Sequence, residues 1–316
     1  MAAELNPIFI DADKAREHLE SLLWPNGPLC PHCGNADPDR IVKLAGKAHR
    51  PGLYQCKECR DQFTVTVGTV FERSKIKLNT WLYATFLLNS SKKGMSAHQL
   101  HRMLGVTYKT AWFMCHRIRE AMADAPGSVP PLGGEGKIVE ADETYFGKKE
   151  TQPKMRADGR PFIHKGGGPA GKRAVVALVE RGGSVRSFHV DRATRENVRQ
   201  ILVTNVSRKS TLMTDTAGGY MGVGKEFESH EMVDHGIGEY VRGDAHSNTV
   251  EGYFSVLKRG ITGVYHHVSE AHLKRYLAEF DFRYNNRSSL GVTDGERTAN
   301  ALKGIEGKRL TYRPTN

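Results

Sequence analysis

The chain has 316 residues, of which 39% are hydrophobic and 26% charged, and carries a formal net charge of +11. That length exceeds one average domain, and the composition is that of a globular chain with a sizeable core, which excludes a disordered or fibrous protein. No apolar run approaches the roughly 20 residues of a bilayer span, and the start Met1-Ala2-Ala3-Glu4 lacks a basic-then-apolar leader, so the expectation is a cytoplasmic protein with a polyanion partner and no membrane.

Residues 1–28 read as an N-terminal helical segment and residues 29–72 as a metal ribbon. Cys30-Pro31-His32-Cys33 and Cys56-Lys57-Glu58-Cys59 are two C-x-x-C units separated by 22 residues, the spacing of two knuckles that bring four thiolates around one structural zinc. In a reducing compartment disulfides are disfavoured, and a redox C-x-x-C occurs once rather than as a matched pair. Strands are expected at 40–44, 52–56 and 62–67. Cys115, inside an apolar helical stretch, reads as a packed core residue.

Residues 73–124 read as helical. Ser96 caps a short helix to Leu104, Gly105-Val106 breaks it, and a longer helix begins at Thr107. This is helix-turn-helix spacing, with Lys109, Arg117 and Arg119 as candidate DNA contacts; a plain helical bundle shows the same pattern. The Pro- and Gly-rich stretch 125–135 is a linker.

The segment 136–290 alternates strands and helices, which predicts an α/β fold with a mixed sheet and helices on its faces. Its strands are expected at 137–143, 174–179, 185–190 and 211–215, with a helix over 194–206 and a hairpin at Gly182-Gly183. Asp142 and Asp215 each end an apolar run. Further on, Val250, Phe254, Leu257 and Ile261 form a buried helical stripe, and Glu251 and Lys258 lie about 20° apart on one edge of it, where a core helix borders a cleft. Carboxylates from distant segments are what a site for two magnesium or manganese ions needs. Taken singly, each acid is equally at home in a solvated turn, and Asn248-Thr249-Val250-Glu251 also fits a capping box. Between the first two acids, 147–172 is a basic, glycine-rich insertion with Lys148, Lys149, Lys154, Arg156, Arg160, Lys165 and Lys172, either a DNA clamp or a solvated loop. His98, His101, His230, His235, His246, His266 and His267 show no ligand spacing. Residues 291–316 are read as a C-terminal tail.

The words Glu140-Ala141-Asp142-Glu143-Thr144-Tyr145-Phe146-Gly147, Thr214-Asp215, His246 to Glu251 with Lys258-Arg259, and Arg275 to Asn285 together resemble the DDE insertion-sequence transposases. The similarity is greatest to their zinc-ribbon subgroup, insertion-sequence family fifteen ninety-five, and covers nearly the whole chain. The resemblance implies an RNase H-like catalytic domain whose metals are held by Asp142, Asp215 and Glu251. It also implies Lys258, with Arg259 beside it, on DNA. In some members an asparagine replaces the third acid, which makes Asn248 the alternative third residue. The implied function is metal-dependent cleavage and strand transfer at the ends of an insertion sequence, by a homo-oligomer on DNA at the nucleoid. An RNase H-like nuclease without strand transfer, or a transposase-derived DNA-binding regulator, are the rival readings.

Overall fold

The computed structural model describes residues 6–125, 127–147, 157, 171–216, 218–220, 222–233, 241 and 246–311. They fall into two compact units, one of residues 1–123 with 286–316 and one of residues 124–285. Among the described residues no helix is long and apolar enough to cross a membrane.

The first unit opens with α1 (Ala12–Leu23), begun by Asp11, whose carboxylate takes the amides of Asp13 and Lys14. A three-stranded antiparallel ribbon follows, β1 (Ile41–Leu44), β2 (Leu53–Cys56) and β3 (Gln62–Phe63). The third strand is two residues long where the sequence pattern predicts six, because Thr64–Thr69 fold into turns, Val67 N–H donating to Thr64 O and Thr69 N–H to Thr66 O. The ribbon core is small: Ile41, Tyr54, Cys56 and Phe63, with Trp24 edge-on to the rings of Tyr54 and Phe63.

After the ribbon come α2 (Leu78–Ser90), α3 (Ala97–Leu104) and α4 (Tyr108–Met122). Ser96 and Thr107 cap α3 and α4 through their hydroxyls, and Gly105 makes the turn between them at φ 65°, a conformation glycine adopts without strain. Cys115 is buried, as expected. The chain from residue 291 onward is not a tail. Thr293 and Glu296 form a capping box that starts α8 (Asp294–Lys303), and buried Arg297 donates to the carbonyls of Asn89 and Asn286. Ala301, Leu302 and Ile305 are likewise buried.

The second unit is a five-stranded sheet: β4 (Ile138–Phe146), β5 (Arg173–Glu180), β6 (Val185–Val190), β7 (Thr211–Asp215) and β8 (Ser229–Val233). The strand order is β6-β5-β4-β7-β8, with β4, β5 and β6 antiparallel and β7 and β8 parallel to β4. This is the RNase H-like order. Ala174 through Val179 of β5 are all buried, as a strand covered on both faces requires. One face carries α5 (Arg195–Asn205) in a core with Val139, Ala141, Val176, Leu178 and Leu212. The other carries α6 (Asn248–Gly260) and α7 (Leu273–Asn285), packed on Val175, Ala177 and Val179.

One feature differs from the sequence reading here, and another adds to it. Leu132, inside the expected linker, is buried in the α5 core, pairs with Val206 and exchanges backbone hydrogen bonds with Asn205 and Ser207. The run Arg275 to Asn285, part of the family resemblance, serves to fix α7 to the edge strand. The Asp281 carboxylate accepts from Ser187 N (2.9 Å) and Tyr253 Oη (2.6 Å), and the Asn285 side chain accepts from Val185 N and donates to Val185 O.

Candidate active site

Asp142 lies in the middle of β4, not at its end, because the strand continues through Phe146 against β5. On its other side the parallel partner β7 stops. The register pairs Ala141 with Thr214, so Asp142 and Asp215 come at the next step of two neighbouring strands. Val139, Ala141 and Leu212 point into the α5 core, so side-chain alternation sends Asp142 and Asp215 to the opposite face, where α6 packs. On α6, Val250, Tyr253, Phe254 and Leu257 are buried while Asn248, Glu251 and Lys258 are exposed. That is the stripe with a bordering edge expected from the sequence.

The carboxyl of Asp142 is pushed up to about 7, first by burial and then by the negative charges of Asp215 and Glu143, with Glu251 adding to them. Acids gathered so that one is held protonated near neutrality form a hard-oxygen donor set short of positive charge. The chemistry of this donor set suits a divalent cation, which would relieve both the repulsion and the burial of charge. Glu143 is a further acid of the cluster, its carboxyl also raised by burial, beside buried Tyr220 on the α5 side.

The start of α6 corrects the capping expectation. The residue before the helix is Ser247, Asn248 is the first helical residue, and Ser247 makes no side-chain bond to the helix amides. Instead its hydroxyl donates to Glu251 Oε1 at 3.0 Å. The free amides are taken by Glu140, fully buried on β4, whose Oε2 accepts from Thr249 N (2.8 Å) and Val250 N (3.0 Å). Glu251 thus meets the Ser247 hydroxyl and does not stand at the third position of a helix capped by Asn248.

In the first unit the four cysteines do come together, with all four Sγ atoms within 4.8 Å of one another. Cys30 Sγ is 3.7 Å from Cys59 Sγ, and Cys33 Sγ is 3.7 Å from Cys56 Sγ. Four thiolates at the zinc–sulfur distance of about 2.3 Å from a tetrahedral centre stand about 3.8 Å apart, so the cage fits that ion. The Cys59 backbone N–H draws the Cys56 thiol down to about 6, with the Asn35 amide adding to the effect. Among the described residues no other His, Cys, Asp or Glu group closes to this degree.

The candidate DNA contacts divide. Lys109 and Tyr108 are exposed in the first turn of α4, where Tyr108 stacks on His98 with ring centres 4.2 Å apart. Arg119, by contrast, is 2% exposed, and Arg117 is half-buried, donating to the carbonyls of Glu72 and Leu310. Both belong to the packing of α4 and are withdrawn as DNA contacts. Arg259 turns back on its own helix, donating to Ser255. His230 meets Thr214 Oγ1 at 2.9 Å, and His246 lies beside Arg181. His235 and the basic residues Lys148, Lys149, Lys154, Arg156, Arg160 and Lys165 lie outside the described residues.

The family model described as an ISXO2-like transposase domain matches residues 131–285, and the one described as a transposase zinc-ribbon domain matches residues 10–62. An uncharacterized protein in transposable element ISH50 of Halobacterium salinarum is 31% identical over 282 residues, 87% of this chain and 91% of that one. Among solved structures, the Mos1 transposase paired-end complex with left transposon end is 13% identical with a TM-score of 0.28, over 70% of this chain and 74% of that one. The Mos1 strand transfer complex is 13% identical with a TM-score of 0.29, over 71% and 74%. With a 31% identical relative aligned over 91% of its length and family models matching residues 10–62 and 131–285, the chain belongs to the ISXO2-like DDE transposases of insertion sequences, enzymes that cut and join DNA strands.

Proposed function

We propose that this transposase cleaves DNA at the ends of an insertion sequence and joins the released 3′ hydroxyl to target DNA, using Asp142, Asp215 and Glu251 as ligands for magnesium or manganese. The observation that carries the reading is the placement of Asp142 and Asp215 one step beyond a parallel register, on the sheet face covered by α6, with the Glu251 charge felt at Asp142. Bound there, the cations supply an activated oxygen nucleophile and neutralise charge at the phosphoryl group. The protein holds the acids on rigid strands and a helix, and Lys258, two turns from Glu251 on the same exposed edge, meets a backbone phosphate. The four cysteines hold structural zinc, and the α3–α4 unit reads the element ends. Transfer proceeds in a homo-oligomer on DNA, at the nucleoid in the cytoplasm.

Strand transfer separates this reading from a nuclease of the same fold. Purified protein given a pre-cut element end, a supercoiled plasmid and Mg²⁺ or Mn²⁺ is expected to yield covalently joined end–plasmid products. Nicked plasmid and cut ends without joined product would establish a hydrolytic nuclease instead.

Recognition and phosphate contact are separable in the same way. Lys258→Ala is expected to weaken binding to all DNA sequences alike and to lower the slope of log affinity against log salt by about one. Lys109→Ala should instead cost about 1 to 3 kcal/mol on the element's own ends and much less on random DNA. Equal losses on both DNAs for Lys109→Ala would move end recognition away from α4.

A further inference from the structure

Glu140 has no part in the chemistry proposed above, yet it is a fully buried carboxylate two residues from Asp142. Its contacts account for every acceptor site. Oε2 takes the Thr249 and Val250 amides, and Oε1 takes the Thr249 hydroxyl (2.8 Å) and Arg181 Nε (2.6 Å). Two oxygens offer about four lone-pair positions, so none is left open for a cation. Arg181, just after β5, reaches further: Nη2 donates to His246 O (2.9 Å), lies 3.0 Å from His246 Nδ1 and stands 2.9 Å from Met213 Sδ.

These contacts follow a pattern. Glu140 shares the face of β4 with Asp142, Met213 shares the face of β7 with Asp215, and Val250 directly precedes Glu251. One ion pair, between buried Glu140 and an Arg181 side chain that is 20% exposed, thus touches all three elements that carry the acids, one or two residues from each. We propose that Glu140 and Arg181 are positioning residues of the active site, a clamp that fixes the first turn of α6 against β4 and β7 and so sets where Glu251 stands relative to Asp142 and Asp215. The inference rests on the reading of those three acids as metal ligands. A negative charge at a helix N-terminus favours the same arrangement, since the free amides there carry partial positive charge. Such a pair is a weak source of net stability but a strict geometric constraint, because Glu140 without Arg181 is a buried charge that has lost its main countercharge.

The clamp is tested in the zinc-loaded full-length protein with Glu140→Gln, Arg181→Met, the double variant and Asp142→Asn, using Mn²⁺ alone as the probe and amide hydrogen exchange as a second readout. Glu140→Gln keeps the volume but turns a donor toward Arg181. It is expected to lower Mn²⁺ affinity by about 10- to 100-fold, the range for groups that orient metal ligands. Exchange should rise about tenfold or more at the amides of Thr249, Val250 and Glu251, with the ribbon and α2–α4 unchanged, since freed end amides open locally. The double variant should recover part of the Mn²⁺ affinity lost in Glu140→Gln, since it also removes the stranded guanidinium. Losses that simply add, or wild-type Mn²⁺ affinity and exchange in Glu140→Gln, would overturn the clamp. If Glu140→Gln does not fold, Thr249→Val decides: it deletes one donor to Oε1 and leaves the ion pair intact. It should weaken Mn²⁺ binding by about threefold or more, as loss of one hydroxyl donor to a carboxylate implies, and wild-type affinity there would overturn the proposal. Wild-type Mn²⁺ affinity in Asp142→Asn marks a different failure, that of the ligand assignment, and leaves the exchange result at α6 to judge the clamp.

Discussion

Asp142→Asn, Asp215→Asn and Glu251→Gln should each lower end cleavage by on the order of 10³-fold or more while end binding stays within a few-fold of wild type. Each change removes a charged oxygen ligand and almost no volume, and metal ions stabilise phosphoryl transfer by several kcal/mol, at about 1.4 kcal/mol per factor of ten. Binding should persist because the unit proposed to read the element ends is α3–α4 and the proposed phosphate contact, Lys258, is left unchanged. Asn248→Ala is the informative companion. Asn248 is exposed and is the first residue of α6 rather than its cap, so its replacement should change stability by less than about 0.5 kcal/mol. Cleavage retained by Glu251→Gln and lost by Asn248→Ala would transfer the third ligand to Asn248.

The parts of this site visible in the sequence were those set by local periodicity. The apolar stripe of α6, with Glu251 and Lys258 on its edge, follows from 3.6 residues per turn, and the helix carries that stripe in the structure. The two C-x-x-C knuckles were equally local, each closing a metal corner within four residues. Glu140 was not visible in this way. In an alternating strand an acid reads as a solvated position, and what buries it is Arg181, 41 residues away, and the first turn of α6, 109 residues away. Neither distance leaves a trace in a window of a dozen residues, which is also why Asn248 and Glu251 looked like a capping box when the cap comes from another strand.

The basic residues of α4 show a different limit. Arg117 and Arg119 read as DNA contacts because charge favours the surface, but α4 is covered on most sides: Ala111, Met114, Cys115, Ile118, Ala121 and Met122 are all buried. Arg119 falls within that covered sector. Only the first turn, with Tyr108 and Lys109, projects. The C-terminal helix α8, by contrast, had a readable start in Thr293-Asp294-Gly295-Glu296, a capping-box word whose two hydrogen bonds are both made.

Removing the ribbon metal should have the other large effect, and it should be confined to the first unit. The ribbon core amounts to Ile41, Tyr54, Cys56 and Phe63 with Trp24, Cys59 and Val67 at its margin, too little apolar surface to offset the ordering of some forty residues. Zinc held by four thiolates contributes about 10 to 16 kcal/mol in isolated ribbon and finger peptides. Native protein should therefore carry one zinc per chain by elemental analysis, and Cys30→Ser, Cys33→Ser, Cys56→Ser or Cys59→Ser should each release it. All four sulfurs would bind the same ion, so the four variants should act alike. Amide exchange protection over Ile41–Phe63 should collapse in these variants while β4, β5 and β7 of the second unit keep theirs, and end binding should weaken before any loss of Mn²⁺ binding. A protein free of zinc as purified, or a ribbon that stays protected after a chelator has stripped the metal, would show that the four sulfurs pack without an ion.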